Sequence, residues 1–324
     1  MGSSSYDSSV YHARMDHHKE THTDAFTHTD AITRGLTSLA VHEKLDPSKP
    51  NKAGKLIRES FDSVEHPTSN AVAVLFDVTG SMKRVPRLFL EAFGTMMQTL
   101  TKKNYVNDPQ ILFGAIGDAT CDSIPLQVGQ FEAGNETDEA LSKMYLEGGG
   151  GGQNTESYEL GMYYMARHTD LNCVTKRGKK AYLFITGDEL PYDRVKKHEV
   201  EKVIGDTLQE DIPTKDILKE LRQKFEVFWI MPGGTAHWDD PEVEEPLREM
   251  FGQNFLKLRD PANICELICT TIALCEGHDL HEVGTDLVAA GASEVRVAAA
   301  ADAVAALAAA RNLSAPGEDK IARL

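Results

Sequence analysis

Six consecutive apolar residues, Ala71, Val72, Ala73, Val74, Leu75 and Phe76, run without a polar interruption and stop at Asp77. A strand with one wet face alternates apolar and polar residues, whereas an unbroken run belongs to a strand covered on both faces, as in a parallel sheet flanked by helices. This segment therefore requires helices above and below it, and the rest of the chain has the pattern to supply them. After Pro86, Phe89, Ala92, Phe93, Met96 and Leu100 recur at helical spacing. Residues 111–116 read as a second strand ending in Gly117-Asp118, and 125–131 as a short edge strand. Ala181–Thr186 leads into Gly187-Asp188-Glu189, and the last two strands are expected at 227–231 and 255–258. Helices are expected near 138–146, 156–168, 214–224 and 262–276, and after Pro241. Strands alternating with helices predict an α/β, doubly wound, mainly parallel sheet with helices on both faces.

The flanks break this rhythm. Residues 1–68 are polar and carry a short tandem repeat, Thr21-His22-Thr23-Asp24-Ala25-Phe26 followed by Thr27-His28-Thr29-Asp30-Ala31-Ile32. With so little apolar surface the segment is expected to be disordered, or to be an arm that orders against a partner or a neighbouring subunit. His12, His17, His18, His22 and His28 fit no metal-site spacing and read as part of a polar tail. Residues 69–277 form the α/β domain. Residues 278–324 read as an alanine-rich helical extension, with good helix propensity but little bulk for a core, suited to docking or assembly.

Composition narrows the function. The 34 basic and 50 acidic side chains give a net charge of −16, which repels nucleic acid, and clusters such as Lys176-Arg177-Gly178-Lys179-Lys180 are short. No apolar run approaches the ~20 residues of a membrane span, and the N-terminus is polar, so a cytoplasmic location without membrane attachment is expected. Five cysteines without CxxC spacing fit a reducing compartment. Cys265 and Cys269, among Ile264, Leu267, Ile268 and Ile272, read as core thiols.

In an open α/β sheet, ligands bind beyond the carboxyl ends of the strands where the strand order reverses. Three loops are expected there. Asp77-Val78-Thr79-Gly80-Ser81 follows the first strand; Gly150-Gly151-Gly152-Gln153-Asn154-Thr155 precedes a helix; Gly187-Asp188 follows a later strand. They offer hard oxygen donors without thiolate or imidazole, which suits Mg²⁺, Mn²⁺ or Ca²⁺. Each residue also has a plainer role open to it: Asp77 as a helix cap, Thr155 as an N-cap, Asp118 as a solvated turn, Glu189 as a rim charge. Asp118 and Asn154 are candidates for a supporting role around the ion. Trp238, after Pro232-Gly233-Gly234, is either a partner contact or core.

At these residues the chain resembles the von Willebrand factor type A (vWA) family, whose metal-ion-dependent adhesion site pairs Asp-x-Ser-x-Ser in a first loop with a Thr in a second and an Asp in a third. The resemblance covers roughly residues 68–277. It implies metal ligation by Asp77, Thr79, Ser81, Thr155 and Asp188, with Thr79 in place of the usual serine, and with Asn154 or Glu156 as alternatives to Thr155. Gly187 departs from the family, which usually has Asp directly after the residue that closes the strand. The resemblance further implies a stand-alone module in which the cation bridges to a partner carboxylate. Two other readings stand beside it. The arm and the extension build an oligomer, or Asp77 is the nucleophile of an aspartyl-phosphate hydrolase of the haloacid dehalogenase type, whose later motifs Thr186-Gly187-Asp188 echoes. The hydrolase reading lacks a phosphate-neutralising lysine. A P-loop is excluded because no Gly-Lys-Ser/Thr follows the glycine run. No nucleophile elbow is present either, so the chain is not read as an enzyme.

Overall fold

The structure, a computed structural model, describes residues 5–51, 53–149 and 154–314. Gly150, Gly151, Gly152 and Gln153 of the expected second loop and residues 315–324 of the extension lie outside it. Among the described residues the centre is a six-stranded sheet of β1 (Asn70–Asp77), β2 (Pro109–Ile116), β3 (Leu126–Val128), β4 (Ala181–Thr186), β5 (Phe225–Pro232) and β6 (Phe255–Leu258). The spatial order is β6-β5-β4-β1-β2-β3, all parallel except the antiparallel edge strand β3. The chain leaves β1 towards β2 and returns to β1's other side as β4. The order therefore reverses between β1 and β4, which opens a crevice at their carboxyl ends.

All eight residues of β1 are buried. Val72, Val74 and Phe76 point into one apolar layer and Ala71, Ala73 and Leu75 into the other, which is why the run has no polar member. The first layer contains α3 (Val85–Lys102) and α9 (Ile264–Cys275), and Phe76 meets the rings of Phe89 and Phe113 at centroid distances of 5.1 and 6.0 Å. Cys265 and Cys269 are buried in it. The second contains α5 (Tyr158–Arg167), α7 (Thr214–Lys224) and α8 (Pro241–Phe251). Apart from the single turn Asn172–Thr175, the remaining α-helices among the described residues are α1 (Ser8–Thr21), α2 (Thr27–Thr33), α4 (Glu136–Ser142), α6 (Lys197–Val203), α10 (Leu280–Ala289) and α11 (Glu294–Ser314). The helix expected at 156–168 starts at Tyr158, because Thr155–Glu156 instead pairs in parallel with Leu190–Pro191.

The arm corrects the expectation of disorder or of folding onto a partner: it folds against its own chain. Tyr11 lies in a notch on α3 left by Gly94, where a Cβ would sit 2.6 Å from the Tyr11 ring, and its hydroxyl donates to the Leu90 carbonyl. Phe26 is buried beneath Arg87, whose guanidinium grips Asp24 with two bonds of 2.6 and 2.8 Å. Thr29 joins the Met144 carbonyl and the Leu146 amide at 2.9 and 3.0 Å. Arg58 is almost fully buried and donates to the carbonyls of Val128 and Gly129 at the free edge of β3. Tyr11→Ala, which removes a ring from a formed notch, is expected to destabilise the protein by about 3 kcal/mol. Urea unfolding checks this; an unchanged midpoint would mean that the arm is not docked.

The extension is also more than an appendage. Val283 and Leu287 of α10 and Ala300, Val304 and Leu307 of α11 are buried in the layer that holds α9. Small alanines allow α11 to approach closely, so low bulk does not prevent core packing. Arg296 adds an ion pair to the nearly buried Glu266 at 3.2 Å. No described helix is long and apolar enough to cross a membrane.

Candidate metal centre

Asp77 ends β1 with no exposed surface. Its Oδ1 accepts hydrogen bonds from the Thr79 amide at 2.8 Å and the Thr79 hydroxyl at 2.7 Å, and its Oδ2 accepts the Tyr158 hydroxyl at 2.5 Å. The turn continues through Gly80, whose φ of +40° is a conformation that suits glycine. Gly80 N donates to Gly149 O, and Gly148 N donates to Val78 O at 3.0 Å, so the start of the glycine run lies alongside the Asp77 loop.

Ser81 is exposed, and its Oγ accepts the Ala236 amide at 3.2 Å. Asp188 is buried, and its Oδ2 accepts the next amide, that of His237, at 3.2 Å. Consecutive amides of the loop after β5 thus hold the two side chains, which brings the first and third loops together. Arg84 secures the same loop through the carbonyls of Gly233 and Gly234.

Thr155 is half-buried and is not a helix cap; that position falls to Ser157. The Thr155 side chain bonds to Tyr192, whose hydroxyl donates to Asp118 Oδ2 at 3.0 Å. Thr155 therefore meets the same tyrosine that bonds Asp118. Asn154 is exposed, and its backbone carbonyl accepts the Leu190 amide at 3.0 Å. Asp118, read as a solvated turn or a supporting carboxylate, is fully buried and not solvated. Its surroundings repeat those of Asp77: Oδ1 accepts the Thr120 amide and hydroxyl, both at 2.8 Å, while Oδ2 takes a tyrosine. The same Asp-x-Thr turn thus follows two adjacent strands.

Two carboxylates take a larger part than their sequence context implied. Glu156 is almost fully buried with Oε2 unpaired, and Glu189, instead of standing on the rim, is mostly covered and hydrogen-bonds Glu156. Burial first, then repulsion from Asp77 and other carboxylates, pushes the Glu156 carboxyl up to about 10 and Glu189 to about 8. Asp77 rises to about 7, again chiefly through burial, with the Tyr158 and Thr79 bonds opposing the shift. This edge of the sheet therefore crowds together more buried carboxyls than its own side chains can neutralise, so they hold their protons until a cation offsets the charge, and its donors are oxygens. Among the described residues, no three His, Cys, Asp or Glu side chains are arranged to hold a metal by themselves. A cation here would rest on carboxylates together with the hydroxyls of Thr79 and Ser81.

Gly187, which separates Thr186 from Asp188, has a local reason. A Cβ there would lie 2.6 Å from Tyr158 Cε1 and closer still to the hydroxyl. Tyr158 packs edge-on against Trp229 at 4.6 Å, and Trp229 Nε1 donates to the Gly187 carbonyl at 3.0 Å. The missing side chain makes room for the phenol that reaches Asp77.

Several solved structures match part of this chain at low sequence identity. Similar structures include the pilus adhesin SpaC from Lactobacillus rhamnosus GG in its open conformation, at 11% identity and a TM-score of 0.45, covering 70% of this chain and 31% of the adhesin. Proximal thread matrix protein 1 from the mussel byssus matches at 12% identity and a TM-score of 0.40, over 64% of this chain and 48% of that one. A von Willebrand factor type A protein from Catenulispora acidiphila matches at 15% identity and 0.34, over 65% and 44%. The chain spans less than half the length of each. No family model matches, and no curated protein does. Trp238, beside this edge, is half-buried with Lys257 Nζ 4.5 Å from its ring centre, between the two roles its sequence position allowed.

Proposed function

We propose that the chain is a protein-binding module in which a divalent cation, held between the ends of β1 and β4, bridges to a carboxylate of another protein. One observation carries this reading. Ser81 and Asp188 are fastened to consecutive amides beside the buried Asp77-Thr79 turn, which gathers hydroxyl and carboxylate oxygens next to the further buried carboxyl of Glu156. Mg²⁺ suits such a site because it keeps several waters and accepts an outside oxygen; Mn²⁺ and Ca²⁺ share the preference for oxygen. Asp77, Thr79, Ser81 and Asp188 would hold the ion, and Thr155, bonded to Tyr192, would act at its margin. The ion supplies an electrophilic position for the partner's carboxylate. The chain's own residues fix the turn, exclude water beneath it and leave Ser81 open to solvent.

We read the module as a binder and not a hydrolase. The side chains that bond Asp77 directly are those of Thr79 and Tyr158, neither of them a cation to neutralise phosphate. The assembly reading loses its main support, since the arm's Tyr11 and Phe26 are engaged within the chain. The test is affinity capture from the native host with wild type and Asp77→Ala, each in Mg²⁺ and in EDTA. A partner retained only by wild type with Mg²⁺ is expected, and identical captures in all four conditions would overturn the reading.

A further inference from the structure

Among the described residues, Tyr158 is the one side chain outside the loops of the metal centre that bonds directly to the Asp77 carboxylate. It bonds the carboxylate oxygen that Thr79 does not, and belongs to the apolar layer on one face of the sheet, where it is fully buried. Three features fix its ring. Gly187 leaves the space it fills, Trp229 lies edge-on at 4.6 Å, and the Trp229 indole is itself tied to the Gly187 carbonyl at 3.0 Å. The Gly187 amide donates to Ile230 O at 3.1 Å, so the backbone flanking the phenol is anchored on β5. A hydroxyl held this firmly has one target, and its 2.5 Å contact lies in the range of O–H to carboxylate bonds assisted by charge.

We infer that Tyr158 is the positioning residue of the cation site: its hydroxyl, seated in the gap at Gly187, locks the Asp77 carboxylate in the orientation that binds the ion. This rests on the cation reading of the site. A carboxylate held by Thr79 on one oxygen only can turn about its Cβ–Cγ bond, and an outer partner on the second oxygen removes that freedom before the ion arrives. The inference also gives Gly187 a function. The residue that departs from the family pattern makes room for a clamp on the residue that matches it best. Asp118, with Tyr192 on its Oδ2, shows the same pairing of tyrosine with an Asp-x-Thr turn one strand away, but Tyr192 comes from the loop after β4 and not from the buried layer.

The test uses the full chain, freed of metal, with Mn²⁺ and Mg²⁺ alone as probes. Tyr158→Phe keeps the ring against Trp229 and removes only the hydroxyl. It is expected to melt close to wild type, yet to bind Mn²⁺ roughly 10- to 100-fold more weakly, the range typical of a lost outer-sphere partner. In a Trp238→Phe background, Mn²⁺ or Mg²⁺ should change the emission of Trp229 when Tyr158 is present and fail to do so in Tyr158→Phe. Gly187→Ala approaches from the other side: it displaces an intact Tyr158, and the folded protein should lose affinity to a similar degree. A purely structural tyrosine would lower the melting temperature and leave the affinity of the folded protein unchanged, and that result, or equal Mn²⁺ affinity in wild type and Tyr158→Phe, overturns the positioning role alone. Absence of Mn²⁺ and Mg²⁺ binding by wild type overturns the cation reading, and this inference with it.

Discussion

Asp77→Asn is expected to abolish divalent-cation binding while leaving the metal-free protein more stable than wild type at pH 8. The amide can keep the local bonds: its oxygen accepts from Thr79, and its nitrogen donates to the Tyr158 hydroxyl, in the places now taken by Oδ1 and Oδ2. What it removes is a charge with no exposed surface. A carboxyl shifted from 3.8 to about 7 by burial costs on the order of 4 kcal/mol to keep ionised well above pH 7, and Asp77→Asn relieves this in the metal-free state. The melting temperature in EDTA should rise by several degrees. Calorimetric titration with Mg²⁺ should show an affinity loss beyond the ~10- to 100-fold of an outer-sphere change. Binding at wild-type strength by Asp77→Asn would remove Asp77 from the site.

The second large effect is the response of the metal-free protein to pH. Asp77, Glu189 and Glu156 bind protons more tightly folded, at about 7, 8 and 10, than in an unfolded chain, where they titrate near 4. At low pH both states are protonated and the stabilising contribution is fully present. As pH rises through 7 and towards 10, the folded state must give up these protons inside a cluster of like charges, and the contribution is lost. Carboxyls shifted the other way, such as Asp62, held at about 2 by Ser69, Lys176 and Arg177 against its own desolvation, affect only the acid limb below about pH 4. The melting temperature in EDTA should therefore fall steadily from pH 5 to pH 9. Mg²⁺ favours the ionised cluster and should flatten that fall. Thermal melts across this range decide the matter, and equal slopes with and without Mg²⁺ would show that the ion does not meet these carboxylates.

Much of this was legible in the sequence, because it depends on periodicity. The unbroken run before Asp77 is of the kind found in a doubly covered strand, and its layer-by-layer alternation is what both faces of the sheet use. The Asp77 and Asp188 loops were placed by a general rule, that strand ends converge where the order reverses. The arm was missed for a different reason. A few anchors, Tyr11 in the Gly94 notch and Phe26 under Arg87, fix a segment whose average composition is polar. Averages cannot reveal such single contacts. Glu156 stood only as an alternative to Thr155 and Glu189 only as a rim charge, because their burial depends on residues distant in the chain, and no local pattern marks Tyr158. One signal was available: Gly187, conspicuous as a departure, marked a place where some larger side chain had to fit.

Arg58 has a consequence for the behaviour of the whole molecule in concentrated solution. A sheet's outermost strand presents bare carbonyls that another chain can use to add a strand, the usual first step of aggregation. Here the outward carbonyl of Val128 is taken by a guanidinium that is itself roofed by Lys49 and Asp46, whose carbonyls it also holds, and stacked over Tyr164. The segment that looked like a tail acts as the guard of the sheet's open side. A protease cut that releases residues before β1 would turn a closed border into an adhesive one, and the first sign would be turbidity rather than loss of fold.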